Sequence, residues 1–466
     1  MGDFQPPAYR AVHTVARYFP EDCGGIQMRL SELLPLLTRY GISSKIAAAH
    51  AQSSSTTYVH KDIEVFRYPA VPQPPAEPNH GAFPHAGFEQ FAHWLSEQQA
   101  ELYHQHQWTP SCGLPHLRYA KQLGLKTIVS IRLPQAICQR QTLMLNGTEP
   151  CDGKIDVARC TQCCEPIAQA LPATAMHLFA QLPAAMWAQL PLPASLYAPT
   201  AIPNQKVAPF RALSTPAFIE ARRRSLLEMA EQADRIIMLS ELLRDMFIRN
   251  GVPKDKLVMV RTGLPEYVPT VTASRRRTEG PLKVVFLGRW NRTKGIHILV
   301  DAVERLPESV PIELSIHGVP NDEHYEREVR ASISDSSRIR IKPQLQRDSL
   351  ADQLSQYDVL AAPAQWFDVR PMVVLEGHAC KLPVLGSNMG GIPELINDGV
   401  DGLLLPPSDP QAWADALAKL ACDRAYLEQL QQGIRPVRRM QAEAADMAQV
   451  YQSLLGQPSL AAAMSA

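Results

Sequence analysis

The sequence predicts an α/β chain built from two doubly wound domains. Three observations carry this. At 466 residues the chain is long enough for two domains with separate cores. From residue 282 onward, short apolar runs alternate with helical patterns, the βαβα order of a parallel sheet. Glycine-bearing turns follow several of these runs, at the edge where open α/β sheets present loops and helix starts to a ligand.

The first half offers strands at 12–18, 44–48, 63–68, 102–105 and 127–131, with helices over 28–40 and 114–123 between them. A strand–helix–strand unit follows at 233–240, 242–250 and 256–260. Residues 69–84 are proline-rich and read as a loop, 166–216 read as short helical pieces joined by turns, and 268–282 read as an interdomain linker without periodicity. In the second half, 282–287 is a buried strand. Over 296–306, Leu299, Ala302, Val303 and Leu306 recur at helical spacing on one face. Further strands are expected at 312–316, 339–341, 359–362, 383–385 and 402–405. Leu350, Leu354 and Tyr357 mark a helix, and 409–451 is mostly helical. No solenoid-type repeat is present.

Composition narrows the function. The 46 basic and 46 acidic residues cancel, so no global field points to nucleic acid or an anionic membrane. The start MGDFQPPAYR has neither a basic nor an apolar leader region, and Pro6 stands where a myristoylation signal wants Ser or Thr; a cytoplasmic place is expected. Residues 166–205 lack acids, Lys and Arg, but prolines cut them into pieces shorter than the ~20 apolar residues of a membrane span. They permit peripheral contact with a membrane-bound acceptor, although a packed insertion fits them equally. Nine cysteines, several clustered, suggest reduced thiols or a metal site rather than a secreted disulfide framework.

The most informative stretch is 363–395, PAQWFDVRPMVVLEGHACKLPVLGSNMGGIPEL. Asp368 follows an apolar strand, Pro371 suits a first helical turn, and Glu376 lies more than one turn inside that helix. Gly390-Gly391 then leads to a second helix start at Pro393-Glu394. Helix N-termini favour anions, so a phosphate-bearing ligand is expected. The segment resembles the acid-x7-acid signature of the family-4 retaining glycosyltransferases, the glycosyl transferases group 1. That resemblance implies the GT-B fold, two facing Rossmann-like domains with a nucleotide-sugar cleft between them. It assigns Asp368 to the donor sugar and Glu376 to the ribose diol of the nucleotide. The family usually has Glu where this chain has Asp368.

The same resemblance extends to VVFLGRWNRTKG (284–295), matching the family's Gly-Arg…Lys-Gly pattern with Gly288, Arg289, Lys294 and Gly295. Departure of a diphosphate needs stabilised negative charge, which fixed cations supply without a metal; Arg289 and Lys294 take that role. Asp368, Arg289 and Lys294 are thus the expected catalytic residues. Gly24, Gly25, Gly288, Glu376, Gly390, Gly391 and Glu394 are the expected donor-binding ones. After the strand at 127–131, relatives generally carry His, and this chain carries Arg132, which cannot act as a general base. His104 and His106 follow another strand and are weighed as cleft residues. No Walker A loop or strand-borne Gly-x-Gly-x-x-Gly occurs, which disfavours an NTPase or a nicotinamide dehydrogenase.

Cys138, Cys151, Cys160 and Cys163 form C-x12-C-x8-C-x2-C, with Cys164 as an adjacent spare. The spacing suits a tetrahedral S4 structural zinc site, closed to substrate. By resemblance, a first domain spans 1–270 with an insertion at about 138–216, a donor domain spans 279–436, and a C-terminal helix at 437–460 crosses back to the first. The expected activity is metal-independent, retaining transfer of a sugar, of hexosyltransferase type, from a nucleotide-diphosphate donor to a hydroxyl. The acceptor would be a glycan, a lipid-linked glycan or a small molecule, as in polysaccharide or glycolipid synthesis. Two alternatives share these residues: a non-catalytic GT-B scaffold in a polysaccharide assembly complex, and a UDP-sugar epimerase.

Overall fold

The structure is a computed structural model. It describes residues 9–21, 24–70, 81–109, 111–182, 186, 208–268, 270, 279–319, 321–334, 337–346 and 349–456. The chain divides into two compact units, one formed by residues 1–261 with 440–466 and the other by 262–439.

The first unit is a parallel sheet flanked by helices. Its strands are β1 (Tyr9–Val15), β2 (Ile42–His50), β3 (Thr56–His60), β4 (Ile63–Pro69), β5 (Leu102–Gln105), β6 (Lys126–Ile131), β9 (Arg235–Met238) and β10 (Leu257–Met259). They run in the order β10-β9-β6-β5-β1-β2-β4-β3, and β3 alone is antiparallel, against β4. The strand order reverses at β1 and β5, which are paired with His13 opposite His104. A small separate ribbon pairs β7 (Met144–Leu145) with β8 (Glu149–Pro150). The helices of this unit are α1 (Gly25–Leu37), α2 (Phe88–Glu97), α3 (Leu114–Gln122), α4 (Val157–Cys164), α5 (Ala173–Gln181), α6 (Ala208–Gln232) and α7 (Glu241–Arg249).

In the second unit the strands are β11 (Leu282–Leu287), β12 (Ile312–His317), β13 (Ile339–Lys342), β14 (Val359–Ala362), β15 (Val384–Ser387) and β16 (Gly402–Leu405). Their order is β13-β12-β11-β14-β15-β16, all parallel. Numbered within the unit this is 3-2-1-4-5-6, the Rossmann order, whose switch point lies between β11 and β14. Two apolar clusters fill this unit. One is built around Val284, Phe286, Leu299 and Trp413, the other around Val285, Leu360, Val374 and Ile392. The helices here are α8 (Ile296–Glu304), α9 (Glu323–Ala331), α10 (Leu350–Leu354), α11 (Met372–Ala379), α12 (Pro410–Cys422) and α13 (Arg424–Gly433).

The last described helix, α14 (Met440–Leu454), belongs to the first unit. Met440, Ala444, Met447, Ala448 and Tyr451 recur at helical spacing and are buried in one cluster with Leu30, Leu33 and Leu34 of α1. Glu443, on the same face, makes a buried ion pair with Arg29 of α1.

Several elements differ from the sequence reading. The hairpin β3–β4 turns through Lys61 and Asp62, both at positive φ (49° and 63°), with no glycine or asparagine to signal it. Helix α6 runs 25 residues through Pro216, where separate short pieces were expected from its proline content. Burial of Ala217, Phe218 and Ile219 offsets the helix hydrogen bond that Pro216 cannot make. Residues 71–80 of the proline-rich loop, 269 and 271–278 of the linker, and 183–185 and 187–205 of the apolar segment lie outside the described residues. Among the described residues, no helix is long and apolar enough to cross a membrane.

At the switch point of the first unit lies a buried polar layer. His13, His104 and His106 are fully buried, so neither His104 nor His106 offers an exposed ring to a ligand. Arg132 Nη2 lies 3.3 Å from His106 Nδ1. An arginine only donates, so His106 Nδ1 accepts and His106 Nε2 carries the proton. That nitrogen then donates to His13 Nδ1 at 3.0 Å, leaving the proton of His13 on Nε2, 3.2 Å from Ser44 Oγ. His104 bridges Tyr451 OH of α14 at 2.5 Å and Ser130 Oγ of β6 at 2.7 Å. The three rings converge closely enough to suggest metal ligation. The lone pairs of His13 and His106 are already engaged, which argues against it.

Burial holds these imidazoles neutral. It lowers His13 to about 3 and sets His104 and His106 well below the ordinary value, helped by Arg132. Arg132 is itself lowered to about 9 by burial and by Arg29, and stays cationic at neutral pH. Because the folded values lie below the unfolded 6.5, the unfolded chain binds more protons throughout that interval. Stability is therefore greatest above pH 6.5 and is lost as pH falls below it, at up to about 1.4 kcal/mol per pH unit for each such histidine. Urea midpoints compared at pH 7.5 and 5.5 should show a clear fall that is smaller in His104→Gln. Equal midpoints at the two pH values would refute a neutral buried layer.

Candidate functional site

The switch point of the second unit is built from three loops packed backbone to backbone. After β11 the chain passes Gly288 and the exposed Arg289, which forms no ion pair among the described residues, then buries Trp290. A tight turn over Arg292–Lys294 ends at Gly295, whose φ of 74° is left-handed. A Cβ at Gly295 would stand 1.7 Å from the carbonyl oxygen of Pro363, so only glycine lets this loop lie against the end of β14. Gln365 N donates to Thr293 O at 2.7 Å and locks the two loops together.

That contact delivers Lys294 to Asp368. Lys294 Nζ lies 2.6 Å from Asp368 Oδ2, with the side chains 23% and 14% exposed. The same ammonium stands 5.3 Å from the centre of the Trp366 ring, a cation–π contact. Trp366 is absent from the sequence-derived set, because its role depends on the loop's folded path.

From the other side comes the Gly390-Gly391 turn. Gly391 N donates to Asp368 O at 2.8 Å, and a Cβ there would lie 1.9 Å from Val369 O. The following residues form a short turn over Ile392–Glu394 rather than a longer helix, with Glu394 exposed. Pro371 stands at the N-cap of α11, one place before the first turn. Glu376 sits half-buried in the second turn of α11, and its charge contributes, after burial, to raising the Cys380 thiol to about 12. The structure thus brings both Lys294 and the Gly390-Gly391 turn onto Asp368. Gly288 and Arg289 lie at the end of the adjacent strand, and Glu376 on the helix that Asp368 leads into.

In the first unit, Gly24 and Gly25 are exposed at the start of α1, and a side chain at Gly25 would meet open space. Arg132 is half-buried at the end of β6 and tied to His106. Cys138, Cys151, Cys160, Cys163 and Cys164 line one cavity with Arg140 and Arg159. No three of these sulfurs lie mutually within 4.8 Å, so they are gathered but not closed to the distances of a tetrahedral site.

Residues 281–423 match the family model described as glycosyl transferases group 1. The chain is similar to a D-inositol 3-phosphate glycosyltransferase of Xylanimonas cellulosilytica, 28% identical over 274 residues, covering 55% of this chain and 64% of that one. It is 31% identical over 223 residues to the enzyme of that name from Corynebacterium urealyticum, covering 44% and 52%. The chain thus spans between about half and two thirds of the length of these curated relatives.

Among solved structures, sucrose-phosphate synthase from Thermosynechococcus elongatus superposes with a TM-score of 0.62 at 17% identity, covering 96% of this chain and 99% of that one. Anabaena HepE in complex with UDP gives 0.59 at 13% identity, covering 95% and 100%. At such identities the likeness speaks for the fold alone, which is GT-B. With a Rossmann-ordered sheet and loops joined at its switch point, the second unit carries, over residues 281–423, the match to the glycosyl transferases group 1 model.

Proposed function

We propose that the chain transfers a sugar from a nucleotide-diphosphate donor to a hydroxyl acceptor with retention at the anomeric carbon. The observation that carries this reading is the Lys294–Asp368 pair at the switch point of a group 1 domain. Lys294 and the exposed Arg289 place two cations at the end of β11, where a diphosphate gains negative charge as it leaves. Asp368 first holds Lys294 in place, and then meets the donor sugar when the diphosphate takes the lysine. Glu376 receives the ribose diol. The Gly390-Gly391 turn, free of side chains, lets the donor approach the backbone closely, and Glu394 borders this turn.

In the chemical step the bond from the anomeric carbon to the diphosphate oxygen breaks, its electron pair going to the phosphate. The acceptor oxygen bonds to the same face, and its proton passes to the leaving phosphate oxygen. Arg132, a permanent cation, has no part as base, and no metal is assigned to catalysis. Anabaena HepE is described in complex with UDP-glucose, which makes UDP-glucose the first donor to test. The acceptor class is a glycan, a lipid-linked glycan or a small molecule, in a cytoplasmic reaction that extends to the inner membrane surface if the acceptor is lipid-linked.

Lys294 and Glu376 should fail differently. Lys294→Ala removes charge stabilisation that grows toward the transition state and should lower kcat by roughly 10²-fold or more. Glu376→Ala removes contacts remote from the breaking bond and should chiefly raise donor KM. Steady-state kinetics, with the product anomer read by NMR, decide both points. Intact turnover in Lys294→Ala, or an inverted product, would contradict this assignment.

A further inference from the structure

We propose that Cys138, Cys151, Cys160 and Cys163 bind one metal ion in tetrahedral thiolate coordination, and that the ion is zinc. The cavity they line is about 30 Å³, room for a single ion or water-sized group. It is shaped by a hairpin and a helix that bring cysteines far apart in sequence to one place. The three-residue turn between β7 and β8 passes through Asn146 and Gly147, both at positive φ (55° and 87°), and closes the hairpin tightly. Asn146 N–H from this turn points at Cys163 Sγ, 3.1 Å away. Gly153 N–H likewise approaches Cys151 Sγ at 3.5 Å. Backbone donors aimed at sulfur favour the thiolate, the form that ligates metal.

The surroundings fit the charge of such a centre. Four thiolates around a divalent ion leave two net negative charges, and Arg140 and Arg159 both line the cavity. Asp152 already balances Arg159 in part, through contacts of 2.7 and 3.1 Å. The scaffold around the cysteines is anchored on several sides. Asn250, at the end of α7, donates to Gly153 O and accepts from Ile155 N, each at 2.8 Å. Arg140 donates to Cys163 O at 3.1 Å. The buried Arg222 of α6 holds the Gln135 carbonyl and the Gln139 side chain on either side of Cys138. Only the final approach of the sulfurs is left to the ion, which draws them to the roughly 3.8 Å separation implied by Zn–S bonds of about 2.3 Å. Because Cys138 lies six residues after Arg132, the ion fixes the loop that leaves β6. Four protein ligands leave no position for substrate, so its role is structural.

The test uses the full chain, purified reduced, with metal content measured by elemental analysis and by cobalt titration. About one zinc per chain is expected, together with the visible bands of tetrahedral cobalt thiolate after exchange. Cys151→Ser and Cys160→Ser should each lose the bands and lower the melting temperature. Cys164→Ser and the exposed-site control Cys422→Ser should keep both. Since a ligand variant can fail by misfolding, the cobalt spectrum of the unaltered chain is decisive by itself. Reduced, folded protein that takes up neither zinc nor cobalt would overturn the proposal. So would a non-reducing peptide map showing these cysteines joined as disulfides.

Discussion

Lys294 and Asp368 meet because two loops from neighbouring strands are pressed together at a glycine, and the assignment of the second unit depends on that pair. A side chain at Gly295 would collide with the Pro363 carbonyl, and one at Gly391 with that of Val369. These contacts leave the loops little freedom to separate, so the lysine is positioned before any ligand arrives. Such preorganisation is what makes a cation effective at stabilising developing charge. The ion pair itself is modest. At 23% and 14% exposure it is partly solvated, and pairs of this kind contribute on the order of 1 kcal/mol or less. A carboxylate held that weakly can release its lysine to a diphosphate.

The first unit manages charge differently. His13, His104 and His106 are buried and neutral, and the hydrogen bond joining His106 to His13 has its direction set by one permanent donor, Arg132. The Arg29–Glu443 pair and the Tyr451–His104 bond join α14 to the same layer. A buried pair of this kind is costly to break singly, since either partner would be left charged and dry. The C-terminal helix is thus held by polar contacts as well as by its apolar stripe. The side chain at the end of β6 is oriented from within rather than left to solvent.

Much of this was legible in the sequence, for physical reasons. Strands such as 282–287, 359–362 and 402–405 are apolar runs in a parallel sheet, and such runs show in any reading of the chain. Lys294, Asp368 and Gly390-Gly391 were found through a motif whose spacing reflects the loops that meet at the switch point. Other features could not be read. The β3–β4 turn uses Lys61 and Asp62 in left-handed conformations, and Asp62 alone, without a glycine or asparagine beside it, is a weak turn signal. Pro216 suggested a break that packing around α6 overrides. The pairing of His13 with His104 exists only once β1 and β5 are in register, ninety-one residues apart. Trp366 comes under Lys294 only after the loop has folded. The cysteine spacing pointed to a shared site, and the hairpin at Asn146-Gly147 explains how that spacing folds.

The central claim is that Lys294 exchanges Asp368 for the donor's diphosphate. Titration calorimetry with UDP, or with whichever nucleoside diphosphate a binding panel selects, tests it most directly. If the two anions compete for one ammonium, Asp368→Asn should bind the diphosphate more tightly, by up to about fivefold for a pair worth about 1 kcal/mol. Lys294→Met should bind it more weakly, and Asp368→Asn should add nothing in the Lys294→Met background. Unchanged affinity in both single variants, or weaker binding in Asp368→Asn, would contradict the account.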